Sequence, residues 1–313
     1  MTRTTALTLI ITLIAASVAL AGPSGANRMY MAPPVAGDVT LTPDGLADVA
    51  AMEPFYASSG DEAGVQTRAW ALQGSDALEV VVECMEPTMD ALVAKEQPAE
   101  GDVYVFSDDC VEIFVGPTGS DDNYFHFATN ALGAKFDEYV KDKSWTGPWE
   151  VEAHREDDRW WLRATLPYEM LQAKPRASLM WWFNVSRQRQ AGGSLQLSSW
   201  SDASSNFHNI TRWGRLIFGD EYNAILDRFV RQPWRARTDD LTQRAKIDEA
   251  LGDRLQQSLD PLREDLQPVW AAIDGGGPDD IAALSDLLAT GATALERLDN
   301  VEEDLGGAIH QQE

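Results

Sequence analysis

Cysteine and histidine are scarce in this sequence, and so is basic charge. Its 313 residues hold two cysteines and four histidines, and 25 lysines and arginines face 50 aspartates and glutamates. Two cysteines are too few for a disulfide-built scaffold. With His208 and His310 far from His126 and His154, there is no zinc spacing such as His-x-x-x-His. Gly-x-Ser-x-Gly is absent and neither cysteine sits in a nucleophile motif, so no acyl-transfer machinery is expected. Acid pairs are numerous, which leaves a glycosidase pair open on numbers alone. The pair Asp108-Asp109, however, stands at the start of a strand, where turn chemistry explains it. A net charge of −25 repels phosphate backbones and anionic lipid heads, which excludes nucleic acid and membrane surfaces as expected partners. It suits a neutral ligand, one reached through cations, or solubility alone. Beyond residue 21 no apolar run is long enough to span a membrane.

What is present begins with an export signal. Arg3 precedes an apolar run from Ala6 to Leu20, and Ala19-Leu20-Ala21 is a small-x-small pattern cut before Gly22. The run of about 15 residues falls short of the roughly 20 that cross a bilayer, which argues against an uncleaved anchor. Residues 1–21 are therefore read as a signal peptide, and the protein as secreted or periplasmic. Residues 22–37, rich in Gly, Pro and Ala, read as a flexible leader.

Residues 38–219 have the texture of a β domain. Predicted strands are Gln66–Leu72, Leu78–Glu83, Cys110–Val115, Tyr124–Thr129, Trp149–His154, Trp160–Leu166, Met180–Ser186 and Arg215–Phe218. Short strands between turn signals predict an antiparallel β-sandwich. Residues 220–313 switch to helical spacing, with Ile247, Leu251, Leu255, Leu259, Leu262 and Leu266, then Ile281, Leu284, Leu287, Leu288, Leu295, Leu298 and Leu305. Gly275-Gly276-Gly277-Pro278 separates the two runs, and a helical hairpin is expected, kinked or broken at Pro261 and Pro268. It packs on itself or on the sandwich, or else mediates self-association or docking to a protein partner.

Strand parity assigns faces. Leu78, Val80, Val82 and Cys84 share one side of their strand. Cys110 falls with Glu112 and Phe114, opposite Val111, Ile113 and Val115. Export permits a disulfide, but these registers point the two thiols to opposite sheet faces. Eleven tryptophans are present, eight of them between Trp145 and Trp213. Trp160 alternates with Leu162, Ala164 and Leu166 and is expected in the core, and one of Trp181 and Trp182 must face outward. Glu112 and Phe114 share a face with Tyr124, His126 and Ala128, a carboxylate and an imidazole beside aromatic rings, which suits hydroxyl recognition.

Several segments also follow a known order. They are Val39-Thr40-Leu41-Thr42-Pro43-Asp44-Gly45 with Ala50-Ala51, then Leu78–Pro87, Ser107–Pro117, Tyr124-Phe125-His126-Phe127 and Asn130-Ala131-Leu132-Gly133. Trp149-Glu150, Trp161–Pro167, Trp182–Arg187, Phe207-His208 and Trp213-Gly214-Arg215-Leu216 complete the series. In order and spacing it resembles the family 9 carbohydrate-binding modules, a DOMON-related group of β-sandwiches; the helical tail lies outside the resemblance. Ala50 or Met52 stands where the family often carries Trp.

The resemblance implies a non-catalytic protein that binds a polysaccharide or a sugar chain end. It implies an acid at Glu112 and an aromatic residue six positions earlier as sugar ligands; here Phe106 replaces the usual Trp. Trp200, before the closing strand, is expected as a second aromatic wall, with Trp145 as the alternative, and His126 and Arg187 complete the candidate set. A competing reading makes Glu112 a structural acid paired with Arg187 or Arg189. No cofactor is expected, with a structural calcium ion in the loop from Gly119 to Asn123 as the alternative. Two other functions compete: a structural or assembly protein, and a haem-binding electron-transfer domain using Met85 or Met89 with His126.

Overall fold

Alternating side chains give each strand one apolar face, and two sheets close those faces on a common core. The computed structural model describes residues 28–310, apart from 36, 38, 97–103, 119–122, 176–178, 202–205 and 247. The expected signal peptide, residues 22–27 and 36 of the leader, most of the expected calcium loop and Ile247 lie outside the described residues. The rest of the expected flexible leader is instead ordered, since Met29–Met31 forms a strand on Arg215–Ile217 and buries Tyr30 in the core. The strands are β1 (Met29–Met31), β2 (Tyr56–Ala57), β3 (Thr67–Gln73), β4 (Ala77–Met85), β5 (Cys110–Gly116), β6 (Phe125–Asn130), β7 (Lys135–Tyr139), β8 (Glu150–Arg155), β9 (Arg159–Pro167), β10 (Met180–Arg189), β11 (Gln196–Ser199) and β12 (Gly214–Ile217). An eight-stranded sheet has the order β1-β12-β10-β5-β6-β7, with β11 pairing both β10 and β2; a four-stranded sheet has the order β3-β4-β9-β8. Pairing is antiparallel except for β1 on β12.

Between the sheets, Val111, Ile113, Val115, Phe125, Phe127, Trp181, Phe183 and Val185 meet Leu78, Val80, Val82, Trp160, Leu162, Ala164 and Leu166. Cys84 belongs to this inner core, whereas Cys110 packs on the outer side with Val105, Ala128 and Phe136; both thiols are free. Trp181 points inward and is fully buried. Trp182 points outward, under the Arg215 guanidinium at 3.9 Å from the ring centre. Four strands differ from the sequence expectation by being present at all: β1, β2, β7 and β11. They are short, and β7 (Lys-Phe-Asp-Glu-Tyr) is too charged to read as a strand until it pairs with β6.

The chain then turns helical: α1 (Tyr222–Leu226), a π-helical turn (Asp227–Arg231), α2 (Gln232–Ala245), α3 (Glu249–Asp265), α4 (Gln267–Asp274) and α5 (Ile281–His310). Asp248 caps α3, its carboxylate accepting from the Ala250 and Leu251 amides. The expected break at Pro261 does not occur, because α3 runs through it. A proline inside a helix costs about 3 kcal/mol. Burial of Leu255, Leu259 and Leu262 on either side contributes about 1.5–3 kcal/mol each, which outweighs that cost. Pro268 falls in the first turn of α4, where its missing N–H has no helical partner to lose. Gly277 has φ +110° in the turn before α5, and a Cβ there would sit 2.9 Å from the Asn223 amide nitrogen.

The helices do not pack only on themselves. Met180 and Ile217, on the outer face of the larger sheet, share one buried cluster with Ile225, Val230, Leu259, Leu284 and Leu298, flanked by Met29, Met31 and Trp182. Among the described residues no helix is long and apolar enough to cross a membrane. The helices thus cover one end of the outer sheet face and leave the β5-β6-β7 end free for the site.

Candidate functional site

Glu112 on β5, His126 on β6 and Glu138 on β7 stand on the outer face of the larger sheet. Register places His126 directly across from Glu138 and from Phe114, and Glu112 across from Ala128 and Ser186. His126 lies between the two carboxylates: its Nε2 is 2.9 Å from Glu112 Oε2 and its Nδ1 is 3.0 Å from Glu138 Oε1. All three side chains are buried. Aromatic rings hold the imidazole in this orientation. Phe114 stacks on it at 4.3 Å, and the Phe106 and Phe136 ring centres each lie 5.9 Å away.

This arrangement sets the charges. Burial works against a charged imidazole, but the hydrogen bonds to Glu112 and Glu138 overcome it, and the His126 pKa lies above its ordinary value. Burial likewise pushes the Glu138 carboxyl up, and the bond to His126 more than offsets it, leaving the group below the usual range. His208 comes from the loop before β12, with its ring centre 4.9 Å from that of His126. Its Nδ1 is 3.0 Å from the Tyr124 hydroxyl, and burial followed by the neighbouring His126 charge lowers its pKa.

These groups floor a cavity of about 480 Å³, whose walls include Tyr104, Phe106, Lys143, Gln188, Asn206 and Phe207. Tyr104 stands at the rim, 67% exposed, with its ring 5.3 Å from that of Phe106 in an edge-to-face pair. Gln188 Nε2 donates to Glu112 Oε1 at 2.7 Å.

Of the candidate residues, the structure brings together Phe106, Glu112 and His126 and places Trp200, Trp145 and Arg187 elsewhere. Trp200 is 1% exposed in the inter-sheet core, beside Tyr30 and Phe183. Gly214 makes room for it: a Cβ there would lie 2.3 Å from the indole. Trp200 cannot wall the cavity, because its ring is on the other side of the sheet. Trp145 packs against Phe125, Phe127 and Tyr139 at the core edge. Arg187 shares the inward parity of Val185 and is buried against Glu86 at 3.1 Å and the Met85 carbonyl at 2.9 Å. Glu112 does not pair with Arg187 or Arg189: both arginines bind Glu86, and the partners of Glu112 are His126 and Gln188.

The haem pairing also fails geometrically. His126 faces outward on one sheet, Met89 packs against the inter-sheet core, and Met85 follows Cys84 on the far face of the other sheet. Asp108 and Asp109 act as loop clamps. Asp108 accepts from the Lys95 amide and Asn130, and Asp109 from the Val93 and Gln190 amides.

Sequence reasoning missed Glu138, His208, Tyr104 and Gln188. Glu138 had a signal: the Ala131–Ala134 turn folds the next segment back on β6, and alternation then gives Phe136 and Glu138 the face of His126. Gln188 follows by parity from β10. His208, which comes from a loop, had no such signal.

No protein-family model and no curated protein matches this chain. Among solved structures it is similar to a family 9 carbohydrate-binding module from Caldicellulosiruptor kristjanssonii in complex with glucose, at 15% identity and a TM-score of 0.47, covering 61% of this chain and 96% of that one. The same description with cellotriose gives 15% and 0.46, with 63% and 97% covered. A putative carbohydrate-binding protein from Bacteroides uniformis gives 17% and 0.45, with 61% and 99% covered.

Proposed function

We propose that this chain is an exported, non-catalytic carbohydrate-binding protein whose cavity between Tyr104 and His208 takes a neutral sugar unit of a polysaccharide or chain end. One observation carries the reading: aromatic rings at the rim stand over a floor of hydrogen-bonding groups on a rigid sheet. The volume of about 480 Å³ suits a ligand of a few sugar rings at most. Tyr104 and Phe106 offer ring surface for the apolar face of a pyranose. Gln188, Asn206, Lys143 and His208 offer donors and acceptors of both kinds, which is what hydroxyls require. With Glu112 and Glu138 engaged with His126, the floor is preorganised and strongly polar without being a free acid–base pair. The acidic protein surface favours a neutral glycan over a polyanionic one. Export rests on the sequence of residues 1–21.

A glycan array followed by isothermal titration with the best neutral oligosaccharide tests the reading. Binding that Tyr104→Ala and Phe106→Ala weaken supports it. Failure of the wild-type protein to bind any neutral glycan would end it and favour a scaffold or assembly role.

A further inference from the structure

We propose that His126, Glu138 and His208 form a binding site for a divalent transition-metal ion, with zinc the best match to their donor set. This goes beyond sugar binding and stands on the donor geometry alone.

One ligand atom from each of the three residues lies within 4.8 Å of the others. Glu138 Oε1 is 3.0 Å from His126 Nδ1 and 3.8 Å from His208 Nε2. Ligand atoms on a tetrahedral zinc, with bonds of about 2.0–2.1 Å, stand about 3.3–3.4 Å apart. The two spacings to the Glu138 oxygen straddle that value and the two imidazole nitrogens lie within 4.8 Å of each other, so rotation of these side chains is what closing the site requires.

The outer atoms are also in place. A metal-bound histidine is oriented by a partner on its other nitrogen, commonly a carboxylate. His126 Nε2 meets Glu112 Oε2 at 2.9 Å, which gives a Glu112–His126–metal line. His208 Nδ1 meets the Tyr124 hydroxyl at 3.0 Å. Each imidazole therefore turns one nitrogen toward the common point and has the other held. Glu112 and Glu138 place two buried carboxylates beside one imidazole, an acidic floor that suits a dication.

Two imidazoles and one carboxylate select zinc-like ions over calcium or magnesium, which take mostly oxygen. The His208 side chain is 28% exposed and faces the cavity, so an ion has an entry path and an open coordination position on that side. The donors are twelve and 82 residues from His126 in the chain, and no short motif announces them.

The test uses the purified protein, stripped with chelator and dialysed. Calorimetric titration with Zn²⁺ is expected to give one tight equivalent, and Co²⁺ to give the visible bands of a four-coordinate N/O site. His208→Ala and Glu138→Gln should each lower Zn²⁺ affinity more than tenfold. Tyr124→Phe should lower it by about tenfold, the scale of an outer-partner loss. Because His208 is partly exposed, its replacement should leave metal-free thermal unfolding unchanged. Imidazole NMR on the wild type reads the site without any variant, and both the His126 and His208 rings should shift on Zn²⁺ addition. Retention of wild-type affinity by His208→Ala, or unshifted rings, would overturn the proposal. Sugar titrations are run separately in chelator, so loss of the zinc site and loss of the sugar reading are told apart.

Discussion

Arg189 grips Glu86 as a two-pronged fork, Nε to Oε2 and Nη2 to Oε1, both at 2.7 Å, joining the end of β4 to β10. Arg187 adds a third bond at 3.1 Å, and the whole group is buried. Burial alone would raise the Glu86 pKa, but the bonds from Arg189 and Thr88 lower it from 4.5 to about 2. A carboxyl depressed in the folded state contributes stability that is complete above its unfolded value and is lost as pH falls through the folded one. The Glu86 contribution should therefore disappear between pH 4.5 and about 2. Glu86→Gln should cost about 3–5 kcal/mol at neutral pH, because it leaves two buried guanidinium groups without their anion. Denaturant unfolding of both proteins across that window checks this: the stability gap should narrow as the pH drops.

Trp200→Ala should act on stability and not on ligand. Emptying a fully buried indole site costs about 3–5 kcal/mol. The folded fraction should bind sugar as the wild type does, since the ring lies on the opposite side of the sheet. Unchanged stability with lost binding would return Trp200 to the site.

Tyr104→Ala should do the reverse. The ring is mostly exposed and makes an edge-to-face pair with Phe106 at the cavity rim. Sugar affinity should fall by about 0.5–1.5 kcal/mol, and the melting temperature should hold. Titration calorimetry and a thermal scan on the same sample decide it.

A chain ending at Gly219 should lose stability and aggregate, and the full chain should melt in one transition. The cut strips the helices from Met180 and Ile217 and from the flanking Trp182, Met29 and Met31. Uncovering each large buried side chain costs about 1.5–3 kcal/mol. Scanning calorimetry that resolves two independent transitions, with a soluble and cooperatively folding truncated protein, would make the helices an autonomous unit.

Cys84 and Cys110 should resist thiol reagents in the native protein at pH 8. Burial pushes the Cys84 thiol up to about 12 and Cys110 well above its ordinary 9. With almost no thiolate and no exposure, modification should follow the unfolding rate. Rapid native-state labelling monitored by mass spectrometry would contradict the buried placement.

By itself the sequence determined whatever depends on alternation. A two-residue period is a local property, so it separated Cys84 from Cys110, put Val111 and Phe125 inside, and put Glu112 and His126 together on the outer face. The acidic balance and the missing motifs narrowed the chemistry in the same local way. Residues outside a strand's alternation escaped it. Trp200 follows β11 at a strand end, and only the Gly214 hollow and the Tyr30 ring draw its indole inward. Arg187 had the right type for a sugar ligand, and although alternation in β10 already turned it inward, only the fold brings the buried Glu86 from the end of β4 to bind it. His208 meets His126 because β12 returns beside β10 and carries its preceding loop over β5 and β6. Pro261 stayed helical because leucines around it are buried against other helices. In each case the deciding energy comes from contacts between segments far apart in the chain. Those contacts depend on strand order and packing, which local periodicity does not encode.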